Sequence, residues 1–334
     1  MRRIRVAQIG TSEYSHGKDI FRTLAKHPDV FEIVGYALPE GERERFPAQM
    51  DVYEGYREMS VEEIMADGSI EAVVIETEEI YLTKYALLAA RHGKNMHMEK
   101  PGGLSAEDFE ELIATVKQKG TVFHTGYMYR YNPVISDTIK RVKAGEIGNV
   151  ISVEAEMCGW RDGAHAEWLG TFPGGIMFFL GCHMVDLILQ LQGMPQRIIP
   201  FLKSSGTHPV SSNDFAMAVF EYPQGVSFAK STQAERGGFA KRHLVINGAK
   251  GRIEICPLEI NVGYPMHVTE YEECTDTDWL AEGERKRSAP YDRYGAMMLA
   301  FAEMVRGEKE NPYTCDYELA LYKTLEKCCG SEKP

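Results

Sequence analysis

Residues 95–101 read Asn95-Met96-His97-Met98-Glu99-Lys100-Pro101 and run on into Gly102-Gly103. The chain extends through Met96 and Met98, and Pro101 stops it, because proline lacks the N–H that a central ladder needs. Upstream, Ser69 to Ile75 reads as a buried strand, and Tyr81 to Arg91 as a helix that ends at Gly93. An acid and a base are therefore delivered at the carboxyl end of a parallel strand, the edge where open α/β sheets bind ligands. For Glu-Lys-Pro alone, a surface ion pair before a turn is the competing reading.

Working outward, Ile4 to Ile9 predicts a strand that meets Gly10, Gly17 to Lys26 a helix closed by His27-Pro28, and Phe31 to Ala37 the next strand. Strand, turn, helix, strand is the opening of a dinucleotide-binding fold. The turn reads Gly10-Thr11-Ser12-Glu13-Tyr14-Ser15, so only the first glycine of Gly-x-Gly-x-x-Gly is kept. Ser12 stands where backbone approaches a pyrophosphate and Ser15 at the helix-packing position; serine hydroxyls and a helix N-terminus still attract an anion. Glu13 brings a negative charge there. The second strand ends in Ala37-Leu38-Pro39, without the usual ribose-binding acid, and Glu40 comes two residues late. Arg43 and Arg45 suit either a 2′-phosphate or a solvated first turn of helix, which leaves NAD and NADP both open.

Val61 to Ala66 and Ala106 to Lys119 read as further helices, the latter begun by Ser105 with Asp108 three residues on. Thr121 to Thr125 completes a doubly wound unit, which sets an expected boundary: a Rossmann-type domain over 1–125 and a second domain over 126–334. There, after the helix Val134 to Ala144, the grammar changes. Ile151 to Met157 alternates strictly, and Asp214–Tyr222, Val226–Gln233, His243–Asn247 and Arg252–Cys256 are short strands between turns. This predicts an α+β domain with a largely antiparallel sheet, closed by helices Tyr294 to Arg306 and Asp316 to Cys328. One buried helix, Gly174 to Gln190, places Phe179, His183, Asp186 and Gln190 near one face; a satisfied core histidine is the plain alternative for His183.

Bulk properties narrow the function. A net charge of −12 argues against nucleic acid as partner. No apolar run reaches the ~18 residues of a membrane span, and the N-terminus has no signal-peptide pattern. The 7 cysteines include no Cys-x-x-Cys pair, so free thiols in a reducing cytoplasm are expected, and no cluster has metal-ligand spacing.

Taken in order, Glu99-Lys100-Pro101, Arg130-Tyr-Asn-Pro133, Gly145-Glu-Ile-Gly148, Gly174-Gly175, Gly181-Cys-His183-Met-Val-Asp186 and Asn247-Gly-Ala-Lys-Gly251 resemble the Gfo/Idh/MocA family of NAD(P)-dependent oxidoreductases. The resemblance implies NAD or NADP as cofactor, sugars, inositols, other polyols or their keto forms as substrates, and an open C-terminal sheet that often makes homodimers or homotetramers. It assigns Lys100 a place beside the nicotinamide and the reacting carbon, and His183 the acid/base role. Gly10, Thr11, Ser12, Tyr14, Ser15, Leu38, Glu76, Thr77 and Glu99 join Lys100 as expected cofactor residues. Tyr127, Arg130, Trp160, Arg161, His165, Trp168 and Asp186 are the expected substrate residues. For the Trp160–Trp168 segment, a loop with aromatic anchors is an equal alternative.

Departures cluster at chemistry rather than fold: Ser12, Ser15, Leu38, Glu78, and Phe179 where the family has an aspartate. Two adjacent carboxylates, Glu78 and Glu79, must point away from any pyrophosphate. Two functions follow, an active oxidoreductase of modified specificity, or a relative that binds ligands, regulates, or does non-redox chemistry.

Overall fold

Ile4–Ile9 forms β1, the chain turns at Gly10 into α1 (Gly17–Lys26), and β2 (Phe31–Ala37) returns beside β1. Short α2 (Glu42–Arg45) precedes α3 (Val61–Ala66), where Ser60 and Glu63 form a reciprocal capping box that satisfies first-turn amides. Then come β3 (Ala72–Ile75), α4 (Leu82–Arg91), β4 (Asn95–Met98), α5 (Ala106–Lys119) and β5 (Phe123–Thr125). Ser105 caps α5 by accepting from the Asp108 amide at 3.1 Å. The five strands are parallel in the order β2-β1-β3-β4-β5. Chain order reverses between β1 and β3, so the ligand crevice of this sheet opens over Gly10 and Thr77.

Strand alternation splits the sheet chemically. Ala7, Ile9, Val73, Ile75, Met96, Met98 and Phe123 pack with α4 and α5 in an apolar core. The intervening residues Gln8, Glu76, His97 and His124 are fully buried polar groups.

The grammar does change after β5. Asn132 caps α6 (Pro133–Lys143), accepting from the amides of Val134 and Ile135, with Pro133 in the first turn. There follow β6 (Val150–Cys158), α7 (Gly163–Leu169) and α8 (Cys182–Gln192). The strands β7 (Arg197–Lys203), β8 (Phe215–Tyr222), β9 (Gly225–Thr232), β10 (His243–Gly248) and β11 (Gly251–Ile255) come next. Then β12 (Ile260–Asn261), β13 (Met266–Val268), β14 (Glu270–Cys274), β15 (Glu284–Arg287) and β16 (Tyr291–Asp292) precede α9 (Gly295–Val305) and α10 (Cys315–Cys328). Eight strands form one sheet, β15-β14-β11-β10-β6-β9-β8-β7, antiparallel except for the β6–β9 pair. Its inner face (Val153, Ala155, Met157, Ala218, Phe220, Ala229) is buried, and α8 packs on β6 and β9. A smaller sheet, β12-β13-β16, is separate.

The computed structural model describes residues 2–331. Two compact units emerge: the chain up to Tyr127 together with Tyr294–Tyr322, and Met128–Arg293 together with the residues from Lys323. A boundary at residue 125 was expected, and the first segment ends close to it. The finding beyond that expectation is the return of α9 and the start of α10 to the first unit, where Phe301 stacks on His124 at 5.5 Å and α9 packs on α1. Their burial on a sheet formed more than 150 residues earlier leaves no local sequence signal. The long helix expected from Gly174 is also not uniform: Met177–Gly181 is a π-helical turn leading into α8. Such bulges shift helical phase and recur at functional sites.

Candidate active site

In the first unit, Gly10 has φ +83°, and a Cβ there would lie 2.8 Å from the Thr77 backbone. Glycine alone lets the β1–α1 turn sit this close to the end of β3. A buried amide fixes the turn: Gln8 Nε2 is 3.1 Å from the carbonyl oxygens of both Gly10 and Gly17, and 2.9 Å from the Tyr53 hydroxyl. The two serines that replace glycines bond each other. The Ser15 amide donates to Ser12 Oγ at 2.9 Å, and the Ser12 amide to Ser15 Oγ at 3.2 Å. Hydroxyls thus close the loop that glycines would have left open. Tyr14 is half-buried, and Leu38 packs on the Phe21–Tyr36–Tyr53 cluster.

Lys100 is buried at the end of β4, with Nζ 3.5 Å from Glu99 Oε1. Glu99 Oε2 meets His16 Nδ1, at the N-terminus of α1, at 3.1 Å. Burial alone would raise the Glu99 carboxyl, but the His16 ring and Lys100 hold it well below the usual range. The β3–β4 edge therefore carries an ionised acid and its cation. Behind it, burial pushes the His97 imidazole down to about 4. Burial and the Glu99 charge push Glu76 up. The 3.4 Å contact between His97 Nε2 and Glu76 Oε1 thus lies between an imidazole whose protonation burial disfavours and a carboxyl whose ionisation burial disfavours. His97 Nδ1 continues to His124 Nδ1 at 2.7 Å.

Negative charge enters where the loop sequence did not announce it. Glu13 is exposed, whereas Glu42 is fully buried, with its carboxyl pushed up to about 9 by burial despite the nearby Thr11 amide. Glu79 is also fully buried, and burial raises it to about 7 against the pull of Lys100. No side chain hydrogen-bonds the carboxyl oxygens of Glu42, Glu76 or Glu79; the Thr11 amide lies near Glu42, and the Glu79 amide near its own carboxyl. Glu78 points to Arg45 at 2.7 Å, and Arg43 is engaged by Glu58 and the Tyr36 hydroxyl, so both arginines considered for a 2′-phosphate have protein partners. Glu40 is bound by Lys84 and Tyr85. A nicotinamide dinucleotide fits this unit on one condition. Gly10 provides the close approach and α1 the positive end, but the buried carboxyls must be neutral beside an anion.

In the second unit, His183 is buried on α8 and meets the Tyr129 ring edge-on at 5.4 Å. The Tyr129 hydroxyl donates to Glu259 at 2.9 Å, and Glu259 is clasped by Arg242 and Arg293. Arg130 grips Asp186 through two hydrogen bonds, of 3.0 and 2.8 Å, and Gln190 Nε2 adds a third at 2.8 Å. Arg130 and Asp186, expected as substrate residues, form a buried pair that fixes α8 against the segment before α6. Tyr127 is fully buried as well, at the end of the first unit's leading segment. The other expected substrate residues fall into two groups. His165 and Trp168 gather around Phe179, with centroids 5.6 and 4.8 Å away, and His165 Nδ1 bonds Gln233 Oε1. Trp160 is 42% exposed under the Arg236 guanidinium, and Arg161 is exposed, its carbonyl accepting from His208. Aromatic rings thus surround position 179, where the resemblance leads to the expectation of an aspartate.

Sequence reasoning missed His16, Glu42, Gln233 and Arg236. Only His16, just before a predicted helix, had a local signal. It also expected no metal-ligand cluster, yet Glu156, Cys158 and Glu235 bring potential donor atoms within 4.8 Å of one another. Lys230 Nζ lies 2.9 Å from Glu156 and 3.6 Å from Glu235, supplying their positive charge, and burial pushes the Cys158 thiol up to about 12. Among the described residues no helix is long and apolar enough to cross a membrane.

A doubly wound parallel sheet with a buried lysine at its crevice edge defines a dinucleotide-binding type of α/β unit, followed by a separate mixed-sheet unit. The chain belongs to the Gfo/Idh/MocA family: residues 4–127 match the model described as oxidoreductase family, NAD-binding Rossmann fold, and residues 137–254 that of the GFO/IDH/MocA C-terminal domain. It is 24% identical over 203 residues to 2,7-anhydro-N-acetylneuraminate hydratase of Escherichia coli K12, covering 59% of this chain and 54% of the relative. It is 33% identical over 132 residues to scyllo-inositol 2-dehydrogenase (NAD(+)) of Bacillus subtilis 168, covering 39% and 38%. The chain thus spans about half or less of the length of these two relatives. The crystal structure of a putative NADPH-dependent oxidoreductase from Desulfitobacterium hafniense DCB-2 has the same fold, with TM-score 0.81, 18% identity, and coverage of 99% of this chain and 96% of that one.

Proposed function

We propose that the protein is an NAD(P)-dependent oxidoreductase that passes hydride between nicotinamide and a sugar, inositol or related polyol, or its keto form. The observation that carries this is Lys100, a buried cation held at the carboxyl end of β4 beside an ionised Glu99. The likeness to a scyllo-inositol dehydrogenase supports the substrate class. A bound nicotinamide supplies the hydride donor or acceptor. Lys100 stabilises negative charge on the substrate oxygen, and His183 takes or gives the hydroxyl proton. Arg130 and Asp186 hold the His183 helix.

The second reading, chemistry without net oxidation, is favoured by the carboxyl-rich crevice and by the relative named as a hydratase. A polyol and sugar screen that follows nicotinamide absorbance separates the two. Turnover with a change in absorbance supports the first reading, and product without one supports the second. In the first case His183→Ala is expected to lower kcat by about 10²–10⁴ with NADH affinity kept. Unchanged turnover refutes the assignment of His183.

The protein is further proposed to act in the cytoplasm as a homodimer or homotetramer, with a small-molecule substrate and neither nucleic acid nor membrane as partner. The outer face of the eight-stranded sheet supports the oligomer, since Phe201 is 46% and Val226 54% exposed beside half-buried Met217, Val219 and Phe228.

A further inference from the structure

Three carboxyl groups of the first unit have no role in the chemistry above and no side chain that hydrogen-bonds them: Glu42, Glu76 and Glu79. All three are fully buried. Glu76 lies behind the turn, its Cβ 3.0 Å from where a Cβ at Gly17 would be, and Glu42 lies by Thr11. Glu79 differs, because it shares the β3–β4 edge with the lysine assigned to the reaction. The charged and titratable groups that face it come from several elements. Lys100 and Glu99 reach it from the end of β4, and Glu76 from the end of β3. Glu78 lies next to it, carrying Arg45 from α2. Lys100 is already shared with Glu99, 3.5 Å away, and His16 bonds Glu99 rather than Glu79.

We propose that Glu79 enters the dinucleotide complex as a neutral carboxylic acid, so that cofactor binding draws one proton from solvent. The inference rests on the proposed oxidoreductase reading. An ionised carboxylate that no side chain hydrogen-bonds in a dry site is disfavoured. Glu99 and Glu76 add like charge or like demand for the same lysine, and a pyrophosphate brought into the crevice adds more negative charge. Lys100 and the Glu79 amide favour the ionised form, but Lys100 is shared with Glu99 and Arg45 answers Glu78, so added negative charge is relieved by protonation. The free Glu79 carboxyl titrates at about 7, so the proton is partly absent before the cofactor arrives. Binding raises that value further. The sign follows: affinity is full below the free value and falls as pH rises through it, by up to about tenfold per pH unit until the bound value is passed. Glu42, at about 9, stays mostly neutral through this window and contributes little to the slope.

The test is calorimetric titration of the whole protein with NADH from pH 6 to 8.5, in two buffers of different ionisation enthalpy. Wild type is expected to take up close to one proton per NADH at pH 8 and to bind about tenfold more weakly at pH 8.5 than at pH 6.5. Glu79→Gln, neutral at every pH and close in shape, is expected to bind as wild type does at pH 6 and to keep that affinity at pH 8.5, with no proton uptake. NADH binding by wild type without proton uptake or pH dependence overturns this inference and leaves the oxidoreductase reading standing. A slope that survives in Glu79→Gln overturns it too, assigning the proton to another group. Absence of NADH binding at every pH overturns both. If Glu79→Gln does not fold, Glu79→Met, neutral and of similar length, is read in the same way, and absence of proton uptake in wild type overturns the inference without either variant.

Discussion

Lys100→Ala is expected to lower kcat by about 10²–10³-fold, the usual effect of removing one donor from developing negative charge in a dry site. The chemistry of the neighbourhood makes the loss large. Lys100 is buried and answers Glu99 at 3.5 Å, while Glu76 and Glu79 are both held lower by its charge. Without it the β4 edge keeps three acids and loses its cation, so the crevice favours protons over an alkoxide. KM should change less than kcat, because the charge being stabilised exists mainly in the transition state. Lys100→Met, which keeps most of the volume, should show the same loss and so exclude a packing defect. Steady-state kinetics on a substrate from the polyol screen checks this; a kcat within threefold of wild type in both variants would remove Lys100 from the mechanism.

The largest effect on stability is expected from Arg130→Met. The Arg130–Asp186 pair is bidentate, both side chains are buried, and Gln190 completes the carboxylate. Removing one partner of a buried pair leaves an uncompensated charge, which costs about 3–5 kcal/mol. That Asp186 lies one turn beyond His183 on α8 adds a functional consequence, a histidine less firmly placed. Denaturant unfolding measures the loss. The double variant Arg130→Met, Asp186→Leu should recover most of it, because a neutral, well-packed replacement has no charge to desolvate. A loss below about 1 kcal/mol in the single variant would mean that solvent reaches Asp186.

Much of the fold is legible in the sequence because its signals are local. Val-Ile runs bounded by glycine and proline mark β1, β2 and β3, and the caps at Ser60, Ser105 and Asn132 mark helix starts. β7 is not legible, since Pro200 within Arg197–Lys203 argues against a strand; it forms at the sheet edge, where a missing N–H is tolerated. Nor are the three-strand sheet or the return of α9 to the first unit, which rest on long-range pairing. At the site, Lys100, Gly10 and His183 stand out through residue type and place. The fates of Glu42, Glu79 and Arg45 depend on which neighbours the fold brings near, and residue type alone argues wrongly for them: Glu13, the visible threat to an anion, is exposed, while Glu42 is the one buried by the loop. Helical spacing, which places Asp186 near His183, likewise says nothing of Arg130, 56 positions earlier in sequence, which grips Asp186.

In the proposed function this crevice takes a nicotinamide dinucleotide although serines line its turn and carboxyls lie buried beside it. Titration of the purified protein with NADH and NADPH at pH 6.5, read by fluorescence transfer from the tryptophans to the nicotinamide, tests it most directly. Saturable binding of at least one of them below millimolar concentration is expected. Failure of both to bind below a millimolar would contradict it.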